Sequence, residues 1–253
     1  MAGEAMYDEI TTPGIVLTSM PVGEYDRRVS VLTARQGRIS AFARGARRAT
    51  STLCAPTVQF TYADFTFAER RDSYDLKTAE NIRSFDRLAS DMDAVLYASY
   101  FCELVSFLTR ENADETEQLK LLYMTFAALG AGTIDHRLIR CIFELRSITE
   151  YGEAMRAEGL YYSQNDNGLV EYNAAGSIKV DTSTLHTVQF VESTPVNKLF
   201  TFRVSDTVLN ELERITGDYM KRHVDRPMKS LEVLRQMTGA VIPFVTEPAG
   251  TSD

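Results

Sequence analysis

Near Ser90 the spacing of apolar residues changes from every second position to every third or fourth, and this change limits what the chain can fold into. A period of two builds strands with one buried face; a period near 3.6 builds amphipathic helices. The chain is therefore read as α+β, with its strands first and most of its helices after. At 253 residues it can bury a sizeable core in one large domain or in several modest ones.

The strands are short and punctuated. Residues 14–20 form an apolar run closed by Pro21. Residues 27–33 alternate, with Val29 and Val31 on one side and Arg28, Ser30 and Leu32 on the other. After the turn-like Arg35-Gln36-Gly37, residues 38–44 alternate again. An aromatic strand is expected over 57–67, its phase slipping near Ala63-Asp64 as at a bulge, and a fifth near 74–83. Five such strands fit a small OB-fold barrel, assigned to residues 1–83.

The helical part opens with Ser90-Asp91-Met92-Asp93, read as a capping box, followed by Tyr97, Phe101, Leu104 and Leu108. A second helix carries Leu119, Leu122, Phe126 and Leu129 and stops at Gly130 and Gly132. A third carries Leu138, Ile142, Leu145 and Ile148, with Gly152 as its stop. These helices are too apolar to stand alone and are expected to form a bundle. Residues 159–191 return to a β-like pattern with Asn167-Gly168 as a hairpin turn. A helix resumes after Ser205, and a short one follows Lys229-Ser230. The resulting division is an α-helical domain (84–153 plus 204–240), a small β-hairpin insertion (154–203) and a mobile tail (241–253).

No apolar run approaches the roughly 18–20 residues that span a bilayer, and the acidic N-terminus lacks a secretory plan, so a cytoplasmic protein is expected. Cys54, Cys102 and Cys141 are far apart and form no C-x-x-C pair. His136, His186 and His223 fit no metal motif, and no nucleophile elbow, dinucleotide fingerprint or phosphate loop is present. Acidic residues are numerous but are placed on solvent-facing helical positions. The chain reads as a binding protein, not an enzyme.

The net charge of −8 argues against a nucleic-acid partner, but its distribution argues for one. Between Pro13 and Pro56 stand seven arginines and two acids, a local sum of +5 that leaves −13 for the rest. Arginine suits phosphate contact and base stacking. Alternation places Arg38, Ser40, Phe42 and Arg44 on one face of the third strand, and Ile39, Ala41 and Ala43 on the other. An aromatic ring flanked by guanidiniums makes a stacking platform beside a phosphate-tracking groove. The other reading packs Phe42 beneath the helical domain, with the arginines snorkelling around it. Arg47 and Arg48 extend the positive charge into the next loop.

The run GEYDRRVSVLTARQGRISAFARGARR (23–48) resembles the N-terminal signature of the RecO family of recombination mediators. Gln59-Phe60, YASYFCELV (97–105), Phe143-Glu144-Leu145 and Pro227-Met228-Lys229-Ser230 extend the resemblance over most of the chain. It implies an OB-fold followed by a helical domain with a β-insertion. It also implies a bacterial, nucleoid-associated DNA-repair protein that binds single- and double-stranded DNA, anneals strands, and works with RecR. Its role would be to help RecA load on DNA coated by single-stranded-DNA-binding protein. By position, Arg27, Arg35, Arg38 and Arg44 come first as DNA contacts, then Arg28, Arg47 and Arg48, with Phe42 as the stacking ring. The helical domain would receive the acidic C-terminal tail of single-stranded-DNA-binding protein. Arg137 and Arg140 beside Ile142 and Phe143 are the candidates for that pocket, although arginines three apart are commonly plain surface. Many members carry a four-cysteine zinc site in the insertion; residues 153–203 here contain no cysteine, so no zinc is expected. Tyr161, Tyr162 and Tyr172 are expected to pack the hairpin in its place. Two other readings stay open: a protein-interaction scaffold with little nucleic-acid affinity, and an RNA-binding OB protein.

Overall fold

A computed structural model describes residues 8–71 and 73–238; the tail expected at 241–253 lies outside them. The first strands are β1 (Glu9–Val22), β2 (Asp26–Thr33), β3 (Arg38–Ala43), β4 (Tyr62–Glu69) and β5 (Tyr74–Arg83). They close into a barrel in the order β1-β2-β3-β5-β4, with β1 long enough to pair with β4 along its first half and β2 along its second. A parallel contact joins β3 to β5, with Ala41 opposite Tyr74 and Phe42 opposite Asp75. This is the closed five-stranded barrel that the residue pattern requires.

Alternation decides what fills it. Ile39, Ala41 and Ala43 face inward beside Val29 and Val31, and their small volume leaves room for rings from β4. Phe65 stacks on Phe67 with centroids 6.0 Å apart, and Tyr74 meets Phe67 edge-on at 6.3 Å. Each buried ring contributes about 1.5–3 kcal/mol.

The aromatic stretch differs from expectation. β4 begins at Tyr62, and residues 52–60 are turns. The Phe60 N–H donates to Val16 O, and Gln59 Nε2 donates to Leu17 O, where β1 bulges between Val16 and Thr18. Phe60 adopts φ +70° to do so. The phase slip in the sequence therefore marks the start of a strand as well as the register shift between Tyr62 and Ala63.

The helices are α1 (Asp86–Ala89), α2 (Met92–Leu108), α3 (Thr116–Ala131) and α4 (His136–Thr149). Asp91, not Ser90, caps α2: its carboxylate accepts from the N–H groups of Asp93 and Ala94, while Ser90 Oγ turns to Arg87 O. A small sheet follows: β6 (Arg156–Ala157), β7 (Tyr161–Ser163), β8 (Gly168–Val170) and β9 (Ile178–Lys179), in the order β6-β8-β7-β9. Asn167 supplies the left-handed turn residue at φ +54°. Gly168 already belongs to β8, where a Cβ would lie 2.2 Å from Arg156 O.

Three helices complete the chain: α5 (Thr182–Ser193), α6 (Asp206–His223) and α7 (Lys229–Thr238). α5 lies partly in the stretch expected to be β. Its β-branched residues favour a strand by propensity, but Asp181 caps it through the Ser183 N–H, and Thr184, Thr187, Val188 and Val191 bury at helical spacing.

Contacts divide the chain into two compact units: the barrel with Cys102–Leu119, and Arg87–Phe101 with the residues from Lys120 onward. Within the first, the β2–β3 turn is clasped by residues 109–115. The Arg38 N–H donates to Arg110 O, that of Asn112 to Gln36 O, and that of Glu115 to Ala34 O. Within the second, α4 packs against α5 and α6.

Candidate nucleic-acid interface

Loops converge at the end of the barrel where β3 finishes. The Gly45 N–H donates to Asp26 Oδ1 at 2.7 Å, and the Arg47 N–H donates to Tyr25 O at 2.8 Å. Arg47 Nη1 donates to Gly23 O at 2.9 Å. These bonds fix the β1–β2 turn against the loop after β3. Because Phe42 pairs with Asp75, the start of β5 lies alongside. Asp75 takes Arg70 at 2.7 Å, and Arg44 approaches the same carboxylate at 3.6 Å while its side chain stays 75% exposed. So exposed an ion pair contributes little, leaving Arg44 free to exchange its partner.

Strand register sets a second feature. Met20 pairs with Arg28 and Arg28 with Phe42, forming a row across β1, β2 and β3. The Arg28 guanidinium lies 5.8 Å from the Phe42 centroid, and its Nε donates to Ser40 Oγ at 3.1 Å. Arg48 lies over the Tyr25 ring at 4.8 Å. A hydrogen bond to Glu24 raises the Tyr25 hydroxyl above its ordinary pKa, so it keeps its proton.

The eight residues singled out on the barrel are not all in one place. Arg28, Phe42, Arg44, Arg47 and Arg48 gather at this end, with Arg48 and Arg47 exposed. Arg38 begins β3, about 17 Å from its other end along the strand at roughly 3.3 Å per residue. It is half-buried, with its Nε donating to Thr109 O at 3.4 Å. Arg35 is exposed in the turn at that far end. Arg27 shares the inward phase of Val29, and its Nη1 donates to Ser19 Oγ and Thr57 O at 3.3 and 3.2 Å. Two contributions were missed in the sequence. Tyr25 was not singled out from the sequence, and exposed Arg71, beside Arg70, falls in the β4–β5 loop outside the arginine-rich run.

In the helical unit, Arg137 Nη2 donates to Asn210 Oδ1 at 2.8 Å and Arg137 Nε to Glu213 at 3.0 Å. These residues border a cavity of about 510 Å³ also lined by Asp93, Tyr97, Asp135 and His136. Arg140, Ile142 and Phe143 do not line it, being fully buried on the inner side of α4. Glu144 and Glu213 are also buried, contrary to the expectation that acidic residues face solvent. Their partner is the Arg140 guanidinium.

The insertion is held by hydrogen bonds as much as by packing. Tyr162 is buried with Leu169 and Val170, but Tyr172 is half exposed and its hydroxyl donates to Asp166 Oδ1, whose second oxygen accepts from Ser163 Oγ. Among the described residues, no group of three or more His, Cys, Asp or Glu is placed to hold a metal ion. No described helix is long and apolar enough to cross a membrane.

Two family models match: the one described as recombination protein O N terminal over residues 6–85, and recombination protein O C terminal over residues 89–232. Similar proteins are described as DNA repair protein RecO. The DNA repair protein RecO of Acetivibrio thermocellus is 26% identical over 243 residues, spanning 90% of this chain and 97% of the relative. That of Clostridium acetobutylicum is 25% identical over 236 residues, spanning 87% and 95%.

Proposed function

The chain belongs to the RecO family, and from that premise we propose that it is a DNA-repair mediator, not an enzyme, binding single- and double-stranded DNA at the barrel end described above. The observation that carries the reading is the gathering of Arg28, Arg44, Arg47 and Arg48 at the end of the barrel that carries Phe42 and Tyr25, in a chain whose remaining charge is strongly negative. Arginines there neutralise phosphates and release condensed counterions, which favours binding of any sequence. Neutralised strands repel one another less, while stacking on an open ring keeps bases unpaired and available. That combination suits annealing of complementary strands.

The same reading assigns RecR as a partner, RecA loading on coated single strands as the outcome, and a bacterial cytoplasmic site on the nucleoid. It assigns the acidic tail of single-stranded-DNA-binding protein to the helical unit, with Arg137 at the cavity rim as the cation it would meet. Arg35 and Arg38 would extend the DNA path toward the far end of β3, while Arg27 supports the barrel from within. No zinc is proposed for the insertion; metal analysis of purified protein giving stoichiometric zinc would reverse that.

The decisive experiment measures oligonucleotide affinity of an Arg28→Ala, Arg44→Ala double variant across rising salt. Affinity at low salt is expected to fall broadly across sequences, with a shallower salt dependence. Unchanged affinity and slope would remove this face from the binding surface.

A further inference from the structure

Tyr25 is the most exposed aromatic ring of the barrel unit among the described residues, keeping 44% of its surface in contact with solvent. Nothing in packing explains an open ring there, since a turn position is served equally well by a small polar residue. The ring is nevertheless held firmly. Its backbone carbonyl accepts from the Arg47 N–H, and Gly23 O accepts from Arg47 Nη1. The Arg48 guanidinium lies over the ring at 4.8 Å.

We infer that Tyr25, backed by Arg48, stacks an unpaired base and thereby separates single-stranded from duplex DNA. The inference rests on the DNA-binding reading of this end of the barrel. A base inside a duplex already has both faces covered by its neighbours, so only an unpaired base can offer one to the ring. Phosphate contacts by the arginines are available to either form of DNA and cannot make that distinction. Because the turn is already fixed, little ordering cost is charged when the base arrives. Arg28 follows Tyr25 by three residues, about 10 Å along the chain, so a strand stacked at Tyr25 continues toward the Arg28–Phe42 pair. The β1–β2 loop is also a position from which OB-folds generally meet oligonucleotides.

The test titrates four proteins (wild type, Tyr25→Leu, Tyr25→Phe and the Arg28→Ala, Arg44→Ala pair) against three fluorescein-labelled probes. The probes are an oligo-dT strand, a duplex of equal length, and an abasic strand. Tyr25→Leu is expected to weaken oligo-dT binding by about five- to tenfold, leaving duplex and abasic strand within about twofold. Tyr25→Phe, which keeps the ring and loses only the hydroxyl, should match wild type. Equal losses on all three probes, or no loss on oligo-dT, would overturn stacking. If Tyr25→Leu unfolds at a lower temperature than wild type, Tyr25→Trp decides: retained or tighter oligo-dT binding supports stacking, and loss on every probe overturns it. The arginine pair separates the two levels. If it binds every probe normally, the DNA-binding reading of this face fails; if it loses all of them while Tyr25→Leu loses none, only stacking fails.

Discussion

Arg140 Nη2 donates to Glu213 Oε1 at 2.7 Å within the helical unit, and the arginine side chain is almost wholly shielded from solvent. Glu144 Oε1 lies 3.5 Å from Arg140 Nη1 and accepts the Tyr100 hydroxyl at 2.8 Å. Burial works against the Arg140 charge, but the two carboxylates outweigh it and hold the guanidinium ionised. Removing the cation leaves the Glu144 carboxylate buried without a counter-charge, while Glu213 keeps only Arg137. Arg140→Met is therefore expected to cost about 3–5 kcal/mol. Arg137→Met also loses a contact to Glu213, but from a partly exposed position, and should cost no more than about 1 kcal/mol. Urea unfolding midpoints compare the two; equal shifts would refute the assignment of the network's weight to Arg140.

Gly37 offers a test of the clasp on the β2–β3 turn. Its φ is +64°, and an added Cβ would lie 1.9 Å from Arg110 O. The left-handed conformation alone costs an alanine about 1–2 kcal/mol, and the backbone overlap forces the 109–112 segment to move as well. Gly37→Ala should lower the thermal midpoint and speed amide exchange at Arg38 and Asn112, whose N–H groups close this turn. Unchanged protection at both amides would show that the clasp is dispensable.

Glu192 supplies a pH dependence. Burial raises its carboxyl to about 7, against the opposing pull of the Met155 N–H and Arg146. The folded state thus binds a proton more tightly than the unfolded chain, so this group favours folding below about pH 4.5 and the advantage is lost as pH climbs through about 7. With the group partly exposed, the swing is discounted to about 1–2 kcal/mol. His223 acts in the opposite sense, since burial lowers its pKa and stability from it falls as pH drops below about 6.5. The difference between wild type and Glu192→Gln isolates the carboxylate: the variant should gain relative stability between pH 5 and 8, on the order of the swing just given. A difference that stays flat with pH would show that Glu192 does not titrate there.

How legible these features were depends on range. Alternation of Ile39, Ala41 and Ala43 against Ser40 and Phe42 is local, so the barrel face could be read directly and the structure reproduces it. The charge pattern located the arginines but not their ends of the strand, because alternation assigns a face and says nothing of what caps it. Arg38 met the 109–115 segment, distant in sequence, and Arg27 turned inward to Thr57. Tyr25 was hidden for a related reason: the Arg47 and Arg48 contacts that fix its turn and ring come from the loop after β3. The α4 arginines were read from the family resemblance, which could not foresee a carboxylate arriving from α6 at Glu213 to draw Arg140 inside.

Arg27 and Arg44 should separate stability from binding, because one is engaged internally and the other is not. Arg27 bonds Ser19 and the Thr57 carbonyl, tying β2 to β1 and to the loop before β4. Losing charged hydrogen bonds of this kind costs about 1.5–3 kcal/mol, so Arg27→Ala should unfold earlier. Arg44 contributes to stability only through a loose contact with Asp75, which Arg70 still satisfies in its absence. Arg44→Ala should therefore stay within about 0.5 kcal/mol of wild type in unfolding. In binding the order reverses. Each phosphate neutralised on a single strand contributes about 0.7 to the slope of log affinity against log salt. Arg44→Ala should flatten that slope by about this amount, and Arg27→Ala should leave it where it was. A slope that changes for Arg27 and not for Arg44 would mean that DNA draws Arg27 away from Ser19 and Thr57, with Arg44 remaining on Asp75.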